Sequence, residues 1–467
     1  MKHTSWTKFS LLVGTSIAMS GCILDDIPIG TGYAAKYLCS GLWISQIDEQ
    51  RLTEDFIAPQ VAPLPLIWKI DIDETSHTVT VRDRLFGSQN AKTAYFREGL
   101  GCTLIHDKTL EELDRQIPYE MTYPNTDYQS LWPAGDAPIE SLHPQFDHTL
   151  LESVIDEAFA EPEGVTRNTL SVAVAYRGEL ISERYSDDIE PASPLLSWSM
   201  AKSITATAAG ILYDQGVLME DADVLVPEWR DDARSTIKLQ NLLQMNAGLD
   251  WNEAAQGDDP DQGYGLFEVP DMAGYYVDQP MVATPGEVFN YSTGSSNLIA
   301  SLVQDKVGGA LSDYYEFIQN HLFKPLNITS AIVEFDATGQ PVGGAFHYLS
   351  TRDWAKLGQL YLNNGEWNGQ QILSEEWINK TLTPSNSNPL YGYQIWLNTD
   401  RGFWPSLPAS TYAFRGFQGQ IVMMLPDYDL VIVRTGVTFN NEGASSTSDP
   451  AGIQALALGI IASLQPE

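Results

Sequence analysis

The chain has 467 residues, with 61 Asp and Glu against 26 Lys and Arg and a formal net charge of −35. A surface this acidic repels phosphate backbones and argues against a nucleic-acid partner. Hydrophobic content of 43% and aromatic content of 10% argue against disorder, and the length accommodates one large α/β core with an extra module. The acidic clusters, among them Asp258-Asp259-Pro260-Asp261, read as a solvated surface in preference to a calcium site.

Lys2 and Lys8 flank a short polar start, and Phe9 to Met19 is an apolar stretch too short to span a bilayer comfortably. It ends in Met19-Ser20-Gly21-Cys22, which resembles the bacterial lipobox. Residues 1–22 are therefore expected to be an export signal, with Cys22 lipidated as the first residue of a periplasmic or outer-membrane-anchored protein. No later segment is apolar for long enough to be transmembrane. Setting Cys22 aside leaves Cys39 and Cys102, which either close a disulfide in an oxidising compartment or stay as two buried thiols.

The alternation in Leu66 to Ile72 and His77 to Arg82 predicts short strands, and residues 23–118 read as a small, mostly β module. Residues 119–144 carry prolines at 124, 133, 138 and 144 without a sustained period, and read as a linker or wrap-around segment. Residues 145–467 change to an α/β pattern. Leu150 to Phe159 reads as a helix; Thr169 to Tyr176 and Gly178 to Tyr185 read as strands joined at Arg177-Gly178. Helices dominate from Gly216 to Phe335, then strands return at Gln420 to Leu425 and Leu430 to Thr435 before a last helix from Ile453 to Leu464. Strands at both ends of the domain imply one sheet completed by distant segments, with a helical insertion above it.

Three serines stand three residues before a lysine: Ser5/Lys8, Ser199/Lys202 and Ser235/Lys238. Only Ser199-Met200-Ala201-Lys202 opens a helix built for burial, with Ile204, Ala208, Ile211 and Leu212 on one face, small residues on the others, and Gly216 as a left-handed stop. At i and i+3 the lysine amine reaches the serine hydroxyl, and the helix start favours a developing anion. A lysine acts as base only if partly neutral, and a hydroxyl partner commonly shares the proton. Tyr291, in the Gly- and Ser-rich loop before the Asn297 helix, is the candidate; its alternative role is a buried structural phenol. Arg415-Gly416-Phe417-Gln418-Gly419-Gln420 is the third element, where glycines let a strand pass close to a ligand or form a bulge.

Ser199-Met200-Ala201-Lys202, Tyr291-Ser292-Thr293 and Phe417-Gln418-Gly419, in this order, resemble the three motifs of the penicillin-recognising serine hydrolases. The likeness is to the class C β-lactamase-like branch, which includes carboxylesterases, D-amino-acid peptidases and 6-aminohexanoate-dimer hydrolases. Asn241 to Leu249, Pro285-Gly286-Glu287 and Leu360 to Gly365 match it as well. The resemblance implies a β-lactamase/DD-peptidase-like fold, a mixed sheet flanked by helices with a helical subdomain and the site between them. It implies Ser199 as the acylated nucleophile, Lys202 as its proton partner and Tyr291 as general base and acid. The backbone N–H groups of Ser199 and Gln420 would form the oxyanion hole, and Thr293, Phe417, Gln418 and Gly419 would contact substrate, with no cofactor and no metal.

Thr293 replaces the usual asparagine, and Phe417 replaces the lysine or histidine of the drug-hydrolysing members. An acyl-enzyme hydrolase of small esters or uncharged amides is expected ahead of an efficient β-lactamase. The alternative is a non-hydrolytic penicillin-recognising sensor. Arg415 either replaces the missing charge or, as the favoured expectation, lies on the surface.

Overall fold

The computed structural model describes residues 21–85, 87–117, 126–139, 141–222, 225–257, 259–440 and 449–465. The expected export signal, including the Ser5/Lys8 pair, falls outside the described residues apart from the backbone of Gly21 and Cys22; the Cys22 side chain also lies outside them.

The amino-terminal module opens with a 23-residue helix, α1 (Gly21–Trp43). It packs on a four-stranded antiparallel sheet of β1 (Trp68–Asp73), β2 (Thr78–Asp83), β3 (Lys92–Arg97) and β4 (Gly101–Leu104), in that spatial order. The expected mostly β module is thus corrected to helix on sheet. Glycines at 30, 32 and 41 and Pro28 weaken the helical signal, yet the glycines serve packing. A Cβ at Gly32 would stand 2.9 Å from the Cβ of Phe267, so only glycine admits that neighbour.

A disulfide joins Cys39 on α1 to Cys102 on β4, with 6.2 Å between the Cα atoms. Glu334 of the larger domain fastens the same place. It pairs with buried Lys36 and accepts from Ser40 Oγ at 2.7 Å and from the Cys102 N–H at 2.6 Å. The segment after the module lies against the larger domain: Trp132 donates to the Arg352 carbonyl at 3.1 Å, and Asn327 donates to that of Ala134 at 2.8 Å.

The larger domain begins with α2 (His148–Phe159), β5 (Thr169–Tyr176) and β6 (Glu179–Tyr185). Arg177 and Gly178 have φ of 50° and 79°, the pair of left-handed residues a tight two-residue hairpin requires. The middle of the chain supplies α3 (Ala201–Asp214), α4 (Thr293–Val307) and α5 (Thr351–Leu362). The carboxyl end adds β7 (Trp396–Leu397), β8 (Tyr412–Gly416), β9 (Gln420–Leu425), β10 (Leu430–Gly436) and α6 (Ile453–Ser463). The six strands run β7-β8-β9-β10-β5-β6, so the last long strand pairs with the first.

The two faces of β5 explain the layers. Val172 and Val174 join a cluster with Leu151 and Ile155 of α2 and Ala457 and Ile460 of α6, while Ala173 and Ala175 join the cluster of Trp354 and Leu357 of α5. Every residue of β5 is buried, which fits a strand covered on both faces. Helix α3 lies deepest, with all twelve residues from Ala201 to Leu212 buried. Gly216, with φ of 70°, follows its end and satisfies the left-handed stop.

Candidate active site

Ser199 stands in a single 3-10 turn, Trp198–Met200, that leads directly into α3. Lys202 is one turn on and almost fully buried, so its amine projects back to the serine: Nζ lies 3.2 Å from Ser199 Oγ. The same nitrogen donates to the Gly344 carbonyl at 2.7 Å and reaches Thr293 Oγ1 at 3.0 Å. Thr293 Oγ1 in turn donates to Glu253 at 2.5 Å. A threonine hydroxyl has one proton, and a carboxylate only accepts. Thr293 therefore gives its proton to Glu253 and must accept from Lys202. The Gly344 carbonyl accepts as well, so the lysine's remaining position faces Ser199. A neutral Lys202 presents its lone pair to the serine O–H; a protonated one presents a third N–H.

Burial lowers the Lys202 pKa from 10.5 to about 8, with the Glu253 charge partly opposing. Desolvation of an ammonium thus brings the neutral amine within reach of physiological pH. Tyr291 comes from the loop that Ser292 caps onto α4. Its hydroxyl contacts Ser199, and its ring centroid lies 5.1 Å from Lys202 Nζ. Burial first, then the Glu253 charge, push the phenol pKa up, with Ser199, Arg415 and Trp396 opposing.

Glu253 is the residue that sequence reasoning missed. It is one of 61 acidic residues, and nothing in its local pattern distinguishes it. Besides Thr293 Oγ1, it accepts from the Thr293 N–H at 2.8 Å, Trp251 Nε1 at 2.6 Å and Gln262 Nε2 at 3.0 Å.

These groups meet at a mostly apolar cavity of about 400 Å³ whose lining includes Ser199, Glu253, Tyr291, Thr293, Gly416 and Phe417. Strand β8 ends at Gly416, and a Cβ there would collide with the Ser197 carbonyl, so this strand end runs hard against the turn that holds Ser199. Phe417, half exposed, meets Trp198 edge to face at 5.7 Å between centroids. Gln418 and Gly419 stand outside the lining. Gln418 accepts from Trp198 Nε1 at 3.0 Å, and a Cβ on Gly419 would run into the Arg434 guanidinium.

Gln420 is corrected as a site residue. It lines a separate small cavity with Tyr37 and Gly436, and its Oε1 accepts from the Gly436 N–H at 3.0 Å. The three-residue turn Phe417–Gly419 lies between β8 and β9, so the backbone against Ser199 is Gly416-Phe417, not the start of β9. Arg415 is corrected too. It lines the Ser199 cavity, with its guanidinium 4.1 Å from the Phe403 centroid and 5.5 Å from that of Trp396. Burial pulls its pKa down to about 10. Ser235 and Lys238 stand apart in a 3-10 turn and at the entrance of a short helix, Leu239–Leu243. Among the described residues no three His, Cys, Asp or Glu side chains group to hold a metal ion, and no helix is long and apolar enough to cross a membrane.

The Beta-lactamase family model matches residues 156–455, well over half of the chain. The chain belongs to the Beta-lactamase family. The match begins on α2 and covers the whole serine, lysine and tyrosine constellation, leaving the amino-terminal module outside. A 6-aminohexanoate-dimer hydrolase of Paenarthrobacter ureafaciens is 23% identical over 282 residues, 55% of this chain and 69% of that one. Among solved structures, a putative 6-aminohexanoate-dimer hydrolase from Bacillus anthracis superposes with a TM-score of 0.56 at 19% identity, covering 76% of this chain and 90% of that one. A family VIII carboxylesterase gives 0.54 at 14% identity, with 70% and 99% covered. These likenesses establish the β-lactamase and penicillin-binding-protein fold, and with the family match they make this Beta-lactamase family member a serine-type hydrolase.

Proposed function

We propose that this family member cleaves small esters or uncharged amides through an acyl-enzyme on Ser199. The observation that carries the reading is the hydrogen-bonded chain Ser199, Lys202, Thr293, Glu253 on the floor of a mostly apolar cavity. Neutral Lys202 takes the Ser199 proton as Oγ bonds to the carbonyl carbon. Tyr291 stays a phenol at neutral pH because burial disfavours its anion. Its part is therefore the acid half of the base-and-acid role that the resemblance implies: it gives its proton to the leaving oxygen or nitrogen and takes up the one Lys202 removed from Ser199, which leaves both groups as they began. Water then adds to the acyl group as it gives a proton to Lys202, which passes it to Ser199 Oγ while the acid leaves. The oxyanion is assigned to the backbone N–H groups of Ser199 and Phe417, since Gln420 faces elsewhere.

A second reading rests on Arg415, whose guanidinium lines the cavity with no hydrogen-bonded carboxylate among the described contacts, the Asp449 charge acting on it from farther off. It favours substrates that carry a carboxylate near the scissile bond, β-lactams included. Labelling with a fluorophosphonate, with Ser199→Ala as control, tests the nucleophile. A panel of p-nitrophenyl esters, anilides and a chromogenic cephalosporin tests the ranking, and cephalosporin turnover above ester turnover overturns it. Labelling without release of any chromogen supports a sensor instead.

Export with lipidation at Cys22 is likewise our proposal; the Cys39–Cys102 disulfide supports an oxidising compartment. Mass spectrometry of the mature amino terminus tests it, and an unprocessed Met1 overturns it.

A further inference from the structure

The family match starts at residue 156, yet three residues far upstream line the Ser199 cavity: Ile29 and Tyr33 on α1, and Gln60. Ile29 and Tyr33 stand four apart on one helix, so they share the face that α1 turns toward the cavity. The Tyr33 ring stacks on Trp198, with centroids 5.9 Å apart and planes 14° apart, and meets Phe267 edge to face at 5.6 Å. Trp198 is the residue before the nucleophile, and Leu266 and Phe267 continue the same apolar wall. Gln60 sits farther out and is partly exposed; its carbonyl accepts from Gln256, another lining residue, at 3.2 Å.

The wall is held firmly. Helix α1 carries Lys36, Cys39 and Ser40, and all three are fastened at one point through Glu334 and the disulfide to β4. Lys36 Nζ also lies 4.3 Å from the Phe346 centroid, and Phe346 packs on Trp198. The nucleophile turn and the module thus share one aromatic cluster.

We propose that the amino-terminal module is part of the substrate site: Ile29, Tyr33 and Gln60 set the size of the uncharged hydrocarbon group, alkyl or aryl, that flanks the scissile bond. The proposal rests on the hydrolase reading for its chemistry but not for its geometry. A packed wall excludes hydrocarbon that exceeds the room it leaves, so moving it inward or outward changes discrimination between short and long substrates. A structural role would change all substrates alike.

The test compares p-nitrophenyl acetate, butyrate and octanoate on the full chain and its Ile29→Ala and Gln60→Phe variants. Gln60 is partly exposed, which lets the larger ring be accommodated without disturbing the core should Ile29→Ala fail to fold. Gln60→Phe is expected to lower kcat/KM for octanoate about tenfold, mainly through KM, and for acetate less than about threefold. Ile29→Ala is expected to raise the octanoate-to-acetate ratio. Equal factors across the series, or unchanged ratios in folded variants, overturn the proposal. A second arm measures binding of p-nitrophenyl octanoate to Ser199→Ala protein by quenching of tryptophan fluorescence, with and without Gln60→Phe. Wild-type protein that takes no fluorophosphonate at Ser199 overturns the hydrolase reading alone. The binding arm still decides the wall: affinity unchanged by Gln60→Phe overturns it, and affinity that falls supports it.

Discussion

Trp198 and Gln418 both hold left-handed backbone, with φ of 45° and 62°, and the indole of the first donates to the amide oxygen of the second at 3.0 Å. Each such conformation costs a non-glycine residue about 1–3 kcal/mol and persists only where its surroundings over-determine it. The bond ties the turn that holds Ser199 to the turn Phe417–Gly419. Gln418→Leu leaves a buried indole N–H unpaired at a cost of about 1–3 kcal/mol. We expect a lower Tm and a kcat loss of about tenfold or more, with the Trp198→Phe and Gln418→Leu effects strongly non-additive. Strictly additive losses in the double variant would show that the two residues act separately.

Lys202 should govern both the alkaline rise in activity and part of the stability. In the proposed mechanism its neutral form is the base, and its pKa is lowered to about 8, so kcat/KM should climb with pH through that value. The Glu253 charge favours the ammonium; Glu253→Gln should move the limb to lower pH. The ordinary lysine value is 10.5, so between about 8 and 10.5 the unfolded chain holds a proton that the folded chain has released. Stability therefore rises with pH across this window, and the penalty is complete below it. Lys202→Met, inactive, should gain Tm relative to wild type more at pH 7 than at pH 10. Differences that are equal at the two pH values refute the buried-base description.

Thr293 separates a structural contact from a proton-orienting one. Its hydroxyl accepts from Lys202 and donates to Glu253, and Thr293→Ser keeps both bonds whereas Thr293→Val keeps only the shape. Valine should lower kcat by about ten- to a hundredfold, since a positioned proton partner contributes on that scale or above. Serine should restore most of it. Matching kcat losses in the two variants, measured with one ester at saturation, would remove the hydroxyl from the mechanism.

Much of this site was legible in the sequence because its groups are local. Ser199 and Lys202 share one helical turn, and the buried small residues after them mark α3 without any tertiary information. Strands β5, β9 and β10 were legible from their unbroken apolar runs, and the β5–β6 turn from Arg177-Gly178. Glu253 was not, because a carboxylate gains its role only when the chain brings it to Thr293, 40 residues away in sequence. Helix α1 was hidden by glycines whose purpose is close packing against distant residues such as Phe267. The backbone beside Ser199 is Gly416-Phe417 where Gln420 was expected, because the extra turn Phe417–Gly419 separates the strand that reaches Ser199 from the strand that follows.

The disulfide should matter more for the module than for the chemistry. It closes a 63-residue separation between α1 and β4, and loops of this size are associated with about 4 kcal/mol in the chain-entropy account. The Cys39→Ala/Cys102→Ala protein should melt several degrees lower, with early loss in peptides of residues 21–104 by hydrogen exchange. Protection lost uniformly over the whole chain would show that module and hydrolase domain unfold as one unit.

Arg415 decides between the two substrate readings. Its guanidinium lies over Phe403, with Trp396 and Trp404 beside it, and it lines the cavity beside Ser199. Aromatic faces stabilise a cation without neutralising it, so the charge remains available to an anion. If that charge anchors substrate, Arg415→Met should lower kcat/KM for a carboxylate-bearing ester by about tenfold or more, while the matching methyl ester changes little. The difference should shrink as salt is raised, though less than for an exposed pair, because Arg415 is partly buried. If Arg415 instead only supports the aromatic wall, Arg415→Met should lower both esters together and reduce Tm through lost stacking. The ratio of the two esters, measured in one buffer on folded variants, separates these cases: a ratio that does not move assigns the cavity to uncharged substrates.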